Sequence, residues 1–537
     1  MTTLLLGGRV YNTAMPDATA IAISDGPDGV VAWLGTDDVG LRQFPDARVV
    51  DLDGGFITPA FVDAHVHVTA TGLALVGLDL RPATSRKHAL RLVGDYALRH
   101  PDGPIWGHGW DESRWPEPAA PTTADLDGLL GDRPAYLARV DVHSAAATTA
   151  LRRTVHGLTD ATGYHDQLPL TAHAHHLVRA AARSSLTPAQ RRHARVAALD
   201  AAASLGIAAV HECAGPDIGG VDDWRELRAL PHGVEVVGYW GEAVATAARA
   251  RDLVEELQVR GLAGDLFVDG ALGSRTAWLS EPYDDAPGCV GNAYLDGEAV
   301  EAHLNACTEA GMAAGFHVIG DAAVTTVVDA VARVVERHGA PAVARCGHRL
   351  EHLEMVSEVQ AAQLGSWGVI ASVQPNFDAL WGGVDGMYAR RLGARRAGRL
   401  NPLALLASQG VPLAFGSDSP VTGMNPWDTV RAATTHHTVG SALSARAAFA
   451  AATRGAWRAG GVRDGVAGTL APGAPATYAV WDVPGGLDAL EVATPADTVA
   501  RWSTDPRSRI PALPRLAPDA PLPTCRQTVH RGVTIHG

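Results

Sequence analysis

The chain repeats one rhythm eight times: a short apolar run, then a longer stretch rich in Ala, Leu and Arg. Strand-like runs separated by helical stretches cannot pair as hairpins, so they pair in parallel and take helices as their outer cover. In order the runs are Phe61 to His67, Ile207 to Cys213, Val234 to Trp240, Asp265 to Gly270, Ala314 to Ile319, Gly347 to His352, Val369 to Gln374 and Pro412 to Ser417. Eight such units predict an α/β fold, a (β/α)8 TIM barrel. The other connections are far shorter, but the stretch from about 68 to 206 is far beyond a normal crossover. It predicts a long insert after strand one, centred on IWGHGWDESRW and PAYLARVDVHS.

The two ends read differently. LLLGGRVY, TAIAIS, VVAWLG and ARVVDLD near the start, and GTLAPGAPATYAVWDV and QTVHRGVTIHG near the finish, are short β-type runs cut by Gly, Asp and Pro. They predict one discontinuous β-sandwich domain with the barrel inserted into it. The expected division is 1–55 for the first part of the sandwich, 56–80 for barrel strand one and 81–200 for an inserted α/β subdomain. The rest of the barrel then spans 201–466 and the second part of the sandwich 467–537.

A barrel of this kind gathers function at the C-terminal ends of its strands. Strand one, FVDAHVH, ends with His65 and His67, whose i, i+2 spacing puts both imidazoles on one face. With 23 histidines in the chain, one such pair is expected by chance. A second pair, His173 and His175, enters a helical pattern where i and i+2 do not share a face, and reads as surface. The other strands carry the argument further: strand five brings His317 to its end, strand six His352 and strand eight Asp418. Four imidazoles and a carboxylate at one rim form a ligand set for a divalent metal, with zinc the first candidate.

Taken together, GGFITPAFVDAHVH, VDGALGSRTAWLSEPYDD, GFHVIGDAAV, HRLEH and FGSDSPV resemble the amidohydrolase superfamily, and specifically the third amidohydrolase family, which includes N-substituted formamide deformylases. The resemblance implies a hydrolytic metal site with His65, His67, His317, His352 and Asp418 on the ligand positions. The inserted segments GHGWDESRW and RVDVHSAAA are also similar to that family, drawing in Trp110, Asp111, Arg114, Trp115 and His143. One departure matters. Where many relatives carry a carbamylated lysine bridging two metals, GDLFVDGALGS has Asp265, a side chain several atoms shorter that should not reach the bridging point without a backbone shift. The only lysine, Lys87, lies in a helical pattern away from any strand end, so a carbamylated lysine is not expected.

Two site models follow. In one, a single metal is held by His65, His67, His317 and Asp418, with His352 hydrogen-bonding to the substrate or water. In the other, Asp265 or a water replaces the bridge between two metals. The intact ligands favour one ion. The implied chemistry is hydrolysis of an amide-type C–N bond, such as an N-formyl or N-acyl amine, with Asp418 as general base and acid and His352 stabilising the oxyanion. A barrel that has lost catalysis and only binds, or a metal-assisted isomerase or lyase, are the alternatives.

Smaller expectations concern single residues. Trp110, Trp115, His143 and Arg275 are candidates for substrate binding. Asp321 reads as the N-cap of the helix after strand five. Glu351 alternates with His352 and should point away from the barrel interior. Of His211 and Glu212, His211 is the one expected to face the pore.

The formal charge of -14, from 44 basic and 58 acidic residues without a basic run, argues against nucleic acid as a partner. No stretch approaches a membrane span, MTTLLLGGRVYN lacks the marks of a signal peptide, and five widely spaced cysteines suit a reducing compartment. A cytoplasmic enzyme for a small-molecule substrate is expected, with a homo-oligomer left open.

Overall fold

The computed structural model describes residues 2–24, 28–491 and 511–537. Its centre is an eight-stranded parallel sheet with the strands in sequence order: β1 (Phe61–Val66), β2 (Ile207–Ala214), β3 (Glu235–Trp240), β4 (Gly261–Leu262), β5 (Ala313–Val318), β6 (Arg349–His352), β7 (Ile370–Val373) and β8 (Leu413–Phe415). Just past β8 the ring meets β1: the Asp418 amide donates to the His65 carbonyl at 2.8 Å, and the His67 amide to Ser419 at 2.9 Å. A side chain at Gly416 would stand 2.4 Å from the His65 nitrogen, so only glycine lets the two strand ends meet. The fold is the expected TIM barrel. Both faces of its strands are buried because helices such as Pro188–Ser204, Gly297–Ala310 and Asp321–His338 cover the outside.

Strand four departs from its expected place. It pairs at Gly261–Leu262, and the expected run, Asp265 to Gly270, follows it as irregular chain touching β5 at a Phe267–His317 bridge. Gly264, at φ 79°, makes the turn between them, a conformation in which a Cβ would also press on Cys213.

Strands from the two ends of the chain lie side by side. Phe56–Pro59 pairs antiparallel with Tyr478–Asp482, which pairs in turn with Thr524–His530, while a four-stranded sheet is built from N-terminal segments alone. Leu5, Val10, Ile21, Ile57, Tyr478 and Val529 fill the space between the two sheets. Trp481 ties them to the barrel: its ring packs on Phe61 and Trp427, and its Nε1 donates to Thr58 at 2.8 Å. Between β1 and β2 stands a further five-stranded mixed sheet, Leu78–Asp79 to Leu170–Thr171, with helices Arg86–Arg99 and Ala172–Ser184 packed on it. Among the described residues, no helix is long and apolar enough to cross a membrane.

Candidate metal centre

The end of β1 delivers His65 and His67 to the barrel mouth, the end of β5 His317, the end of β6 His352, and the turn after β8 Asp418. Asp265 enters between them. Its Oδ1 lies 3.4 Å from His65 Nε2, 3.5 Å from His317 Nδ1 and 3.9 Å from His352 Nε2, and its Oδ2 lies 3.1 Å from His67 Nε2. Asp418 Oδ1 stands 3.4 Å from His65 Nε2 and 3.3 Å from His67 Nε2. The sequence reading required a backbone shift before Asp265 could reach this point, and the chain here has an irregular course. The early end of β4 and the turn at Gly264 supply the backbone displacement that a short carboxylate needs.

Three of the imidazoles are aimed by an acceptor on their far nitrogen. His65 Nδ1 donates to Glu351 at 2.8 Å, His352 Nδ1 to Gln374 Oε1 at 2.7 Å, and His317 Nε2 to the Gly270 carbonyl at 3.3 Å. Each acceptor orients its ring, so the other nitrogen faces the centre, with a lone pair when the ring is neutral. Those facing atoms, His65 Nε2, His317 Nδ1 and His352 Nε2, together with Asp265 Oδ1, are buried without a hydrogen-bond partner among the described residues.

This donor set fits a metal. A tetrahedral ion with bonds of roughly 2.0 to 2.1 Å sets its ligand atoms about 3.3 Å apart. Asp418 Oδ1 stands 3.4 and 3.3 Å from the His65 and His67 nitrogens, and Asp265 approaches the same two imidazoles at 3.4 and 3.1 Å through its two different oxygens, all too long for strong charge-assisted hydrogen bonds. The electrostatics agree. Burial pulls His67 down, yet Asp265 and Asp418 hold it up at about 10, and the same carboxylates outweigh burial to raise His352 to about 9. His317 is lowered by burial and by His352.

Glu351 faces the barrel interior, against the expectation from alternation. His352 and Leu353 have φ of 69° and 46°, so the chain turns at the end of β6 and two consecutive residues both point inward. The Glu351 carboxylate is gripped by Arg349, which also donates to the Ala64 carbonyl and to Ser372 and lies 4.4 Å over the Tyr239 ring. Burial alone would raise Glu351, but Arg349 and then His65 hold it far below the usual carboxylate range. His211 is buried in this layer, 3.1 Å from Arg349, and does not join the cluster; Glu212 accepts from the Val68 amide.

Above the cluster a cleft is walled by barrel loops and by the insert, including Trp106, His143, His176, Arg179, Arg183 and Phe267. Of the residues expected to bind substrate, His143 stands here, its ring 5.2 Å from that of His317. The other three do not. Trp110 and Trp115 are buried beneath the insert's sheet, donating to the carbonyls of Leu137 and Ala83. Arg275 is paired with Asp285 at 2.7 Å. Asp111 is in a buried ion pair with Arg139, Arg114 is exposed, and Asp321 begins its helix and accepts from the Ser280 amide. His175, expected at the surface, is buried against Tyr136, while His173 is exposed. Sequence reasoning passed over His176, Arg179 and Arg183; their i, i+3, i+7 stripe beside Ala174, Val178 and Ala182 is the signal that could have found them.

A parallel barrel with a cluster of imidazoles and carboxylates at the C-terminal rim is the build of a metal-dependent hydrolase. A family model described as the amidohydrolase family matches residues 48–536, and the chain belongs to that family. It is 26% identical to Protein LONG AFTER FAR-RED 3 of Arabidopsis thaliana, over 80% of this chain and 77% of that one. It is 24% identical to the N-substituted formamide deformylase of Arthrobacter pascens, over 79% and 81%. Among solved structures it is similar to an uncharacterized metal-dependent hydrolase from Pyrococcus furiosus, with a TM-score of 0.66 and 26% identity across 89% of this chain and 98% of that one.

Proposed function

We propose that this hydrolase cleaves an amide-type C–N bond of a small molecule, an N-formyl or N-acyl amine, with Asp418 as general base and acid. The observation that carries the reading is the set of orphaned, buried atoms on His65, Asp265, His317 and His352, gathered beside a cleft that His67, Asp265, His317 and Asp418 line. The identity of the A. pascens relative supports the bond type. His65, His67, Asp265 and Asp418 would hold the cation, zinc by the donor chemistry and spacing. A divalent cation there acidifies water and polarises a carbonyl.

The chain's own residues do the rest. Asp418 takes a proton from the attacking water as its oxygen bonds to the carbonyl carbon, and returns that proton to the nitrogen as the C–N bond breaks. His352, protonated, donates from Nε2 to the carbonyl oxygen as negative charge gathers on it. Glu351 keeps His65 in one tautomer, and Phe267 and Trp106 shield the cleft from bulk water.

A second reading, two cations bridged by Asp265, is supported by the two Asp265 oxygens facing different histidines. Metal analysis of zinc-reconstituted protein separates the two, at one or two ions per chain. The function is tested by assaying that protein against N-formyl and N-acyl amines, with a chelated control. Metal-dependent release of the free amine is expected; no release from any member of the series overturns the reading.

A further inference from the structure

The insert's side of the cleft is formed by helix Ala172–Ser184, whose stripe of His176, Arg179 and Arg183 faces inward while Ala174, Val178 and Ala182 pack on the insert's sheet. Arg179 is only 7% exposed; its Nη2 donates to the Asp217 carbonyl at 2.6 Å and its Nε has no acceptor. Arg183 has no hydrogen bond or ion pair with any described residue, and burial, then the charge of Arg179, pushes it down to about 10. The acidic side chains beside them have other partners: Asp141 pairs with Arg139, Asp223 with Arg195, Glu212 accepts from the Val68 amide, and the largely exposed Asp217 carboxylate lies 3.6 Å from His176.

Two like charges one helical turn apart repel, and enclosing an unpaired cation is costly. Guanidinium N–H groups without acceptors, in a cleft leading to the metal centre, are matched by an incoming oxyanion, which the planar fork can take bidentately. Leu73, Trp106 and Phe267 give the same cleft apolar surface, beside the imidazoles of His143 and His176.

We propose that Arg179 and Arg183 bind an anionic oxyacid group, carboxylate or phosphonate in type, carried by a substrate whose apolar body spans the cleft. This rests on the hydrolase reading above and narrows it to N-acylated compounds with an acidic end, such as N-acyl amino acids.

The test compares three matched compounds on the zinc-loaded enzyme: N-formylphenylalanine, its phosphonate analogue and its carboxamide. At least one acid should exceed the amide tenfold or more in kcat/KM, and whichever leads identifies the oxyacid. In Arg183→Gln that ratio should collapse toward one, with partial recovery in Arg183→Lys, while thermal unfolding shows whether the fold survives. Equal turnover of acids and amide, or a ratio unmoved in Arg183→Gln, overturns the proposal. If none of the three is hydrolysed, it is the bond assignment that fails. The anion site is then judged by equilibrium dialysis of the same compounds, where tenfold tighter binding of an acid supports it and equal binding rejects it.

Discussion

His65 donates from Nδ1 to the Glu351 carboxylate at 2.8 Å, and that carboxylate is clamped on its other side by Arg349. The pair lies under the barrel mouth with no solvent exposure on either side chain. Glu351→Gln keeps the shape but removes the charge that orients His65 and neutralises Arg349. Loss of such a partner weakens metal affinity by about 10- to 100-fold, and a buried guanidinium left without its carboxylate costs about 3 to 5 kcal/mol. Metal titration and urea unfolding of the variant check both. Affinity and stability near those of the parent would show that the pair does not aim the ligand.

Asp418 is given the proton transfer. Asp418→Asn keeps an oxygen at the same place and should lower kcat by about 10² to 10⁴-fold, the usual worth of a general acid or base, with metal content largely kept. Metal analysis beside steady-state kinetics distinguishes the role, and near-normal turnover removes it.

Metal uptake should depend on pH in one direction. His67, held up at about 10, carries a proton at neutral pH when the carboxylates are its only partners. A ligand must shed its proton to bind a cation, so affinity falls as pH falls. Between pH 8 and pH 6 the apparent affinity should drop about tenfold per unit for each proton displaced. Competition with a chelator of known pH dependence measures this, and protons released on metal addition to weakly buffered protein give the count. A flat profile would mean that His67 is not deprotonated on binding.

Trp110 is buried among Leu80, Ile105, Leu126 and Leu137, not on the cleft wall. Trp110→Phe removes the indole bond to Leu137 and some packing, which should cost about 1 to 3 kcal/mol while leaving KM within about twofold. Thermal unfolding and kinetics separate the effects; a large rise in KM with unchanged stability would return Trp110 to the substrate.

The barrel was legible because each strand is a continuous apolar run, and five ligand candidates because a polar residue at the end of such a run has few other reasons to be there. What stayed hidden depends on single backbone angles. The positive φ at Gly264 turns the chain ahead of Asp265, and the positive φ at His352 lets Glu351 and His352 both face the interior, so strict alternation misplaced Glu351. Trp110, Trp115 and Arg275 were misplaced for a different reason: their neighbours come from packing inside the insert and its contacts, which no local spacing reports. Arg179 and Arg183 drew no reading from the sequence, since periodicity finds a helix face without saying what it meets.

The strand Phe56–Pro59 must wait through the synthesis of more than 400 residues before Tyr478–Asp482 emerges to pair with it. Until then one side of it is an open sheet edge beside apolar Phe56 and Ile57, a template for pairing with another nascent chain. The order of the barrel strands along the sequence lets the ring assemble progressively, but the aromatic seal of Phe61, Trp427 and Trp481 closes late. A chain arrested before that strand should therefore be held by chaperones or aggregate even with every metal ligand already made, so that intact chemistry in this protein is a late product of its own biosynthesis.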